Sequence, residues 1–338
     1  MSRALIISCN YSKLPQYQLF GCINDGINII DRLKKIDPLI QITHMRDDLD
    51  FNNPLFPDKL NIINQLNTFI TCSEKKLYFY YSGHGTSIYD INNDEINILK
   101  TKFGSQIAKL NGSGKDSCMV CYNNKNIELL IDDDFFNILK NLQSDKTLLA
   151  FADSCNSGTL FDLCYINVGN YTSSFKNSND INLLLKQLNK CTITSSNYPS
   201  KINTIKGTII LFSGTRDSKY SYEVNLNNQP CGLFTHNLCK IIDNGINNIS
   251  LKNLYLLLIA SINNNQQIPV LTTSIDLNLT KYLVNMLNYT NKPTKPFKVQ
   301  IPKVANKNKN INNKNAKLNH TISHVPDFGY NLPRNRKY

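Results

Sequence analysis

The sequence predicts an α/β fold: an open, mostly parallel central sheet covered on both faces by helices. Three observations carry this expectation. Short, continuous apolar runs of the kind that strands buried on both faces require occur at Ala4–Cys9, Leu77–Tyr81 and Thr147–Ala152. Segments whose apolar residues repeat at helical spacing lie between and after them. The connections are short, as strand–helix–strand crossovers demand.

Taken in order, Ala4–Cys9 reads as the first buried strand, and Asn24 or Asp25 can cap a helix carrying Ile27, Ile30 and Leu33. Gln41–Met45 is a weaker strand, and Lys59–Ile70 is helical through Leu60, Ile63, Leu66 and Ile70. Leu77–Tyr81 is a strand that stops at Ser82-Gly83-His84-Gly85. A helix over Asp132–Leu142 opens on acidic residues that suit its dipole. Thr147–Ala152 is a strand that stops at Asp153-Ser154-Cys155-Asn156-Ser157-Gly158. Beyond it, a polar, Lys/Asn-rich stretch from Gly169 to Lys190 contains a helical patch at Ile181–Leu188. Strands follow at Cys191–Thr194 and Gly207–Ser213, and helices at Leu233–Ile242 and Leu251–Ile262. No internal repeat is visible. The expected organisation is one domain over 1–290, with a larger region (1–168), a linker (169–206) and a smaller region (207–290), followed by a basic tail, 291–338.

The 338 residues are ample for a buried core, and a hydrophobic fraction of 41% is that of a globular chain. No apolar run reaches the roughly 20 residues of a membrane helix. The first residues hold too short an apolar segment for a secretory signal, so a soluble, cytoplasmic protein without membrane insertion is expected. The net charge of +12 is misleading: residues 291–338 hold 11 Lys and Arg against one acid, Asp327, leaving 26 against 24 elsewhere. With ten asparagines and little periodicity, that tail reads as disordered, and nucleic acid is an expected partner only through it. Ten cysteines without a secretory signal read as reduced thiols. Cys118 and Cys121 form a lone C-x-x-C, which lacks the second pair or nearby histidines of a structural zinc site.

The chemistry concentrates where two strands end. Ligands of open α/β sheets bind at the carboxyl ends of strands. Of five histidines, His320 and His324 fall in the tail and His44 and His236 lie within regular elements, which leaves His84 between glycines. Cys155 follows a buried strand among small polar residues. A thiolate, an imidazole to move protons and backbone N–H donors for an oxyanion are what acyl transfer needs. A buried cysteine is more often a small core residue, so this pairing alone is balanced against a purely structural role.

The residues Tyr80-Tyr-Ser-Gly-His-Gly-Thr86 and Asp153-Ser-Cys-Asn-Ser-Gly-Thr159 resemble the two catalytic blocks of metacaspases, the caspase-like cysteine peptidases of family C14. Gly21-Cys-Ile-Asn-Asp25, Ile131-Asp-Asp-Asp134 and Phe212-Ser-Gly-Thr-Arg-Asp217 resemble further segments of that family, in the same order over roughly residues 3–275. The resemblance implies a caspase-like three-layer sandwich. It also implies Cys155 as nucleophile, His84 as general acid and base, and the N–H groups of Gly85 and Cys155 as oxyanion donors. Cys22, Asp25, Ser82 and Asp153 would line the pocket for the residue before the scissile bond. Two carboxylates there favour protein or peptide substrates with Arg or Lys at that position. Arg216 lies in a nearby loop that could reach in, and Asp25 could also serve as a helix cap.

The same resemblance implies calcium stimulation, with Asp116, Asp132, Asp133 and Asp162 as ligands and Asp90 and Asp94 as competitors for the place of Asp116. Asn156 stands where the family usually has His. The short segment between the two regions is closer to the type I arrangement than to type II, and no prodomain is evident. Lys176, Lys186, Lys190, Lys201 and Lys206 are candidate self-cleavage positions. The expected molecule is a monomeric, calcium-stimulated cysteine endopeptidase. The alternative is a catalytically silent caspase-like regulator or decoy that binds protein partners.

Overall fold

Alternation of side chains along the central strands sorts the core into two halves, one on each face of a single sheet. The computed structural model describes residues 1–90, 115–169, 193–197, 204–216, 220–226, 229–243, 249–262 and 267–280. The elements run β1 (Ser2–Ser8), α1 (Cys22–Ile36), β2 (Gln41–Arg46), α2 (Lys59–Thr71), β3 (Lys76–Ser82), β4 (Gly85–Tyr89), β5 (Lys115–Tyr122), β6 (Ile127–Ile131) and α3 (Asp132–Leu139). They continue with β7 (Thr147–Asp153), β8 (Tyr165–Gly169), β9 (Ile193–Asn197), β10 (Thr208–Ser213), β11 (Glu223–Leu226), β12 (Gln229–Gly232), α4 (Leu233–Asp243), α5 (Leu251–Ile262) and β13 (Val270–Thr273).

The eight-stranded sheet has the order β2-β1-β3-β7-β10-β13-β8-β9. The first five strands are mutually parallel, whereas β13, β8 and β9 join through antiparallel pairs. Leu5 and Ile7 of β1 and Leu77, Phe79 and Tyr81 of β3 face the layer of α2 and α3. Ala4, Ile6, Tyr78 and Tyr80, their neighbours in sequence, face the layer of α1, α4 and α5. Because both faces are covered, the central strands read as unbroken apolar runs. Each fully buried Leu, Ile or Phe contributes about 1.5–3 kcal/mol, so both layers are held firmly to the sheet.

Local sequence explains the element ends. The Asp58 side chain accepts the Asn61 N–H at 2.7 Å and so caps α2, worth ~1 kcal/mol. Helix α1 starts at Cys22 with Gly21 as its cap, not at Asn24 or Asp25; Asp25 sits inside the first turn. Helix α3 ends at Leu139, three residues short of the expected Leu142. Two small sheets were not expected: β4-β5-β6 and the hairpin β11-β12. Strand β5 carries the C-x-x-C. Three residues apart on a strand, Cys118 and Cys121 point to opposite faces and do not form one ligand pair.

Within the segment read as a linker, Ile193–Asn197 is a strand paired with β8. The candidate cleavage positions Lys176, Lys186, Lys190 and Lys201, the calcium competitor Asp94 and the tail 291–338 lie outside the described residues; Lys206 is described and exposed. Among the described residues, no helix is long and apolar enough to cross a membrane.

Candidate active site

Strands β3 and β7 are parallel neighbours at the centre of the sheet, and their register ends on the pair Ser82↔Asp153. His84 and Cys155 each follow that last pair by two residues, so the ladder itself brings the two loops side by side. The Gly83 N–H still reaches the Asp153 carbonyl at 3.4 Å. Gly85 packs against the other loop so tightly that a Cβ there would lie 1.9 Å from the Cys155 carbonyl oxygen. That contact explains the glycine. Asn156, at φ 48°, takes the left-handed conformation that Asn tolerates better than most residues.

His84 is buried, with 4% of its surface exposed. Its Nε2 lies 2.7 Å from the Tyr17 carbonyl oxygen. A carbonyl only accepts, so Nε2 carries the proton, and in the neutral ring Nδ1 is the basic atom. The Tyr11 ring lies against the imidazole, 4.7 Å between centroids. The Tyr11 hydroxyl accepts the His84 N–H at 3.0 Å and donates to the Val120 carbonyl at 2.7 Å. Tyr11 itself has φ 54°, a costly conformation for a bulky residue. The buried Asp47 carboxylate holds it there by accepting the N–H groups of Asn10 and Tyr11 and the Tyr122 hydroxyl. Burial pushes the His84 imidazole below its ordinary pKa, and the Tyr17 hydrogen bond opposes the shift. The ring is therefore neutral at pH 7 and able to take a proton.

On the other loop, the Cys155 Sγ accepts the Ser221 N–H at 3.2 Å. The Ser221 hydroxyl donates to Asp153 Oδ1 at 2.6 Å. Asp153 Oδ2 accepts the N–H and the hydroxyl of Thr235 at 2.9 and 2.6 Å. Asp25 accepts the Gly232 N–H, 2.9 Å to Oδ2, and the Ser82 hydroxyl at 3.2 Å. A Cβ on Gly232 would lie 2.1 Å from Asp153 Oδ2 and 3.0 Å from Asp25 Oδ2, so the two carboxylates converge on that glycine. Glu223 is a third acid beside them, accepting the N–H groups of Gly21 and Phe20 at 2.7 and 3.1 Å.

Burial, and then the charge of Asp153, raise the Asp25 carboxyl well above the ordinary range. Burial also raises Asp153 and Glu223, and for Glu223 the charge of Asp153 adds to it. The Cys22 thiol is pushed up by burial and then by Glu223 and Asp25. Cys22, Asp25, Ser82 and Asp153 are thus buried close together, Asp153 two residues before Cys155. Among the described residues, no salt bridge joins Arg216 to these acids.

The acidic residues expected to hold calcium lie elsewhere, around Ser117 of β5. The Ser117 N–H donates to Asp132 Oδ2 at 2.6 Å, and its hydroxyl is 2.8 Å from that of Thr159. The Thr159 carbonyl accepts the Asp162 N–H at 2.8 Å. Asp116, Asp132 and Asp162 are buried and Asp133 is half-buried, while Asp90 directly follows the neighbouring β4. The Cys118 thiol is raised by burial, then by Asp132 and Asp116, which places both acids near it. These are hard oxygen donors of the type Ca²⁺ takes. Among the described residues, however, no three His, Cys, Asp or Glu side chains are gathered as a metal would gather them. Asp134, the next acid, is engaged by Lys59 at 2.7 Å.

Sequence reasoning missed Tyr11, Tyr17, Ser221, Glu223, Gly232, Thr235 and Gln267. Most act through backbone groups or through long-range packing, for which the sequence carries no local signal.

Comparison with known proteins agrees with this geometry. Residues 2–164 match the family described as metacaspase, peptidase C14 domain. The chain is similar to metacaspase-5 of Trypanosoma brucei brucei, 26% identical over 227 residues that cover 66% of this chain and 39% of that protein. It is similar to metacaspase-1B of Aspergillus clavatus, 30% identical over 173 residues covering 48% of this chain and 37% of that protein. The matches thus span well under half the length of these relatives. A crystal structure of a Geobacter sulfurreducens protein shares the fold, with a TM-score of 0.53 at 17% identity, covering 83% of this chain and 97% of that one. The register-matched His84 and Cys155 loops both lie inside the residues that match the metacaspase, peptidase C14 domain family.

Proposed function

We propose that this protein is a cysteine endopeptidase that cleaves peptide bonds after Arg or Lys through Cys155 and His84. The observation that carries the reading is the shared ladder end at Ser82↔Asp153, which sets the His84 and Cys155 loops against each other. In this reading His84 Nδ1 takes the thiol proton and Cys155 Sγ attacks the carbonyl carbon. The oxyanion is held by the N–H groups of Gly85 and Cys155. His84 then passes its proton to the departing amine, leaving a thioester that water hydrolyses by the same steps in reverse roles.

Asp25 and Asp153 supply the preference for a cation. Each is raised by burial, so an arriving guanidinium or ammonium group would relieve their repulsion and hold both as carboxylates. Glu223 deepens the anionic field from the α1 side. Both loops and all three acids come from one chain, so the reading needs no second copy. Calcium stimulation through Asp116, Asp132, Asp133 and Asp162 is part of the proposal. It rests on the donor chemistry of those acids, and no catalytic step is routed through the ion. Self-cleavage after exposed Lys206 fits the same specificity.

The test is a reporter series ending in Arg, Lys and Asp, assayed with and without millimolar calcium. Cleavage after Arg and Lys and not after Asp is expected, with higher rates in calcium. Preference for the Asp reporter would overturn the pocket assignment, and equal rates with and without calcium would remove the ion. Gly85→Ala should lower kcat/KM by about 10²-fold. Its methyl group cannot coexist with the Cys155 carbonyl, so the loops must part, and displacements near 1 Å at a reacting centre carry that cost. Full activity in the folded variant would show that the loop contact is dispensable.

A further inference from the structure

Gln267 lies some way along the chain from either catalytic loop, yet both ends of its buried amide are engaged by the segment that touches them. It is 1% exposed. Its Oε1 accepts the Tyr222 N–H at 3.2 Å, and its Nε2 donates to the Gly214 carbonyl at 3.2 Å and to the Ser221 hydroxyl at 3.0 Å. One side chain therefore ties together the end of β10, where Gly214 follows Ser213, and the start of β11.

Between those two anchors, Ser221 has two further partners. Its N–H donates to the Cys155 sulfur at 3.2 Å, and its hydroxyl donates to Asp153 Oδ1 at 2.6 Å. The Gly214 N–H in turn donates to the Ala152 carbonyl at 2.7 Å, joining the same wall to the last turn of backbone before the nucleophile. The network thus runs from Gln267 through Ser221 to the thiol by one route and to the recess carboxylate by another. An amide suits this place because it offers an acceptor to one N–H and donors to a carbonyl and a hydroxyl at once. A carboxylate would lose both donor contacts, and an apolar side chain would lose all three.

We propose that Gln267 is a positioning residue that sets Ser221 against both the Cys155 thiol and the Asp153 carboxylate, so that nucleophile and specificity pocket are held by one buried amide. The proposal rests on the peptidase reading for its second half, the pocket. Its first half, the thiol, is independent of whether any peptide is cut. The N–H donated to sulfur stabilises the thiolate over the thiol, so loosening it makes ionisation harder. The hydroxyl on Asp153 orients that carboxylate toward an incoming cation, so loosening it weakens substrate binding.

The experiment uses the full chain with Gln267→Leu, which keeps the volume and removes every hydrogen bond, and Ser221→Ala, which keeps the backbone N–H and removes the hydroxyl. The rate of Cys155 alkylation by iodoacetamide is followed against pH, with Cys155→Ala as the blank, and KM and kcat are measured on the Arg reporter. For Gln267→Leu the alkylation profile should move up by about one pH unit, which is a tenfold loss of thiolate below the inflection, and KM should rise. For Ser221→Ala, which keeps the Gln267 tie to the neighbouring Tyr222 N–H, the profile should move less than for Gln267→Leu while KM rises severalfold. A folded Gln267→Leu protein with an unmoved alkylation profile would overturn the proposal. If that variant does not fold, an unchanged KM in Ser221→Ala overturns the pocket half. Should the wild-type chain cut no reporter, the peptidase reading fails, yet the alkylation profiles of the two variants still decide the thiol half.

Discussion

Cys155→Ala, His84→Ala and the double variant are expected to fall to one common floor, about 10⁴-fold or more below the wild-type rate on an Arg reporter. In the proposed mechanism the thiol and the imidazole act as one unit: without the base the thiol stays protonated, and without the sulfur the base has nothing to activate. Removing the second partner then costs little beyond the first. The geometry gives this expectation its force, since both side chains follow the same register pair, Ser82↔Asp153, and depend on the same loop contact at Gly85. Residual activity on the floor would reflect the oxyanion donors and the pocket alone. Initial rates of the three proteins, each checked for folding by circular dichroism, decide the matter. A double variant far slower than either single one would mean that the two residues act independently.

Asp25→Asn should lower kcat/KM on Arg and Lys reporters by about 10²–10³-fold, the scale of removing one partner from a buried, hydrogen-bonded charge pair. The same substitution should raise the melting temperature at pH 7. Burial and the charge of Asp153 lift the Asp25 carboxyl well above its ordinary range. A carboxyl raised in the folded state contributes stability while protonated and loses it as pH climbs from the ordinary value through the raised one. At pH 7 the wild-type protein is thus on the penalised side, and a neutral amide of the same shape escapes the penalty. Asn can still accept the Gly232 N–H that Asp25 accepts. Below about pH 4, where the unfolded carboxyl is also protonated, the two melting temperatures should converge. A variant less stable than wild type at pH 7 would show that the Gly232 and Ser82 hydrogen bonds outweigh the cost of the buried charge.

Periodicity made the central strands legible in the sequence. Apolar runs and abrupt small-residue stops located β1, β3, β7 and β10 and put His84 and Cys155 at the ends of two of them. What was illegible has physical causes. Strands β4, β5 and β6 form a side sheet in which β4 pairs with the distant β5, and β5 carries cysteines and a buried acid in place of a clean apolar alternation. The start of α1 was misplaced because Asp25 resembles a cap, whereas its carboxylate turns inward to Gly232. Ser221, Glu223 and Gln267 reach the site by pairing with residues tens to hundreds of positions away, and no spacing rule announces such contacts.

The His84 and Cys155 loops spring from adjacent staves at the middle of an eight-strand platform, clamped by apolar layers above and below. Strands β4, β5 and β6 pair among themselves, so the alignment of the two loops rests on the β3–β7 ladder and not on them. Changes within that side sheet could therefore be accommodated without disturbing the register that sets the two loops side by side. Such a scaffold leaves its periphery open to variation while the central register stays constant.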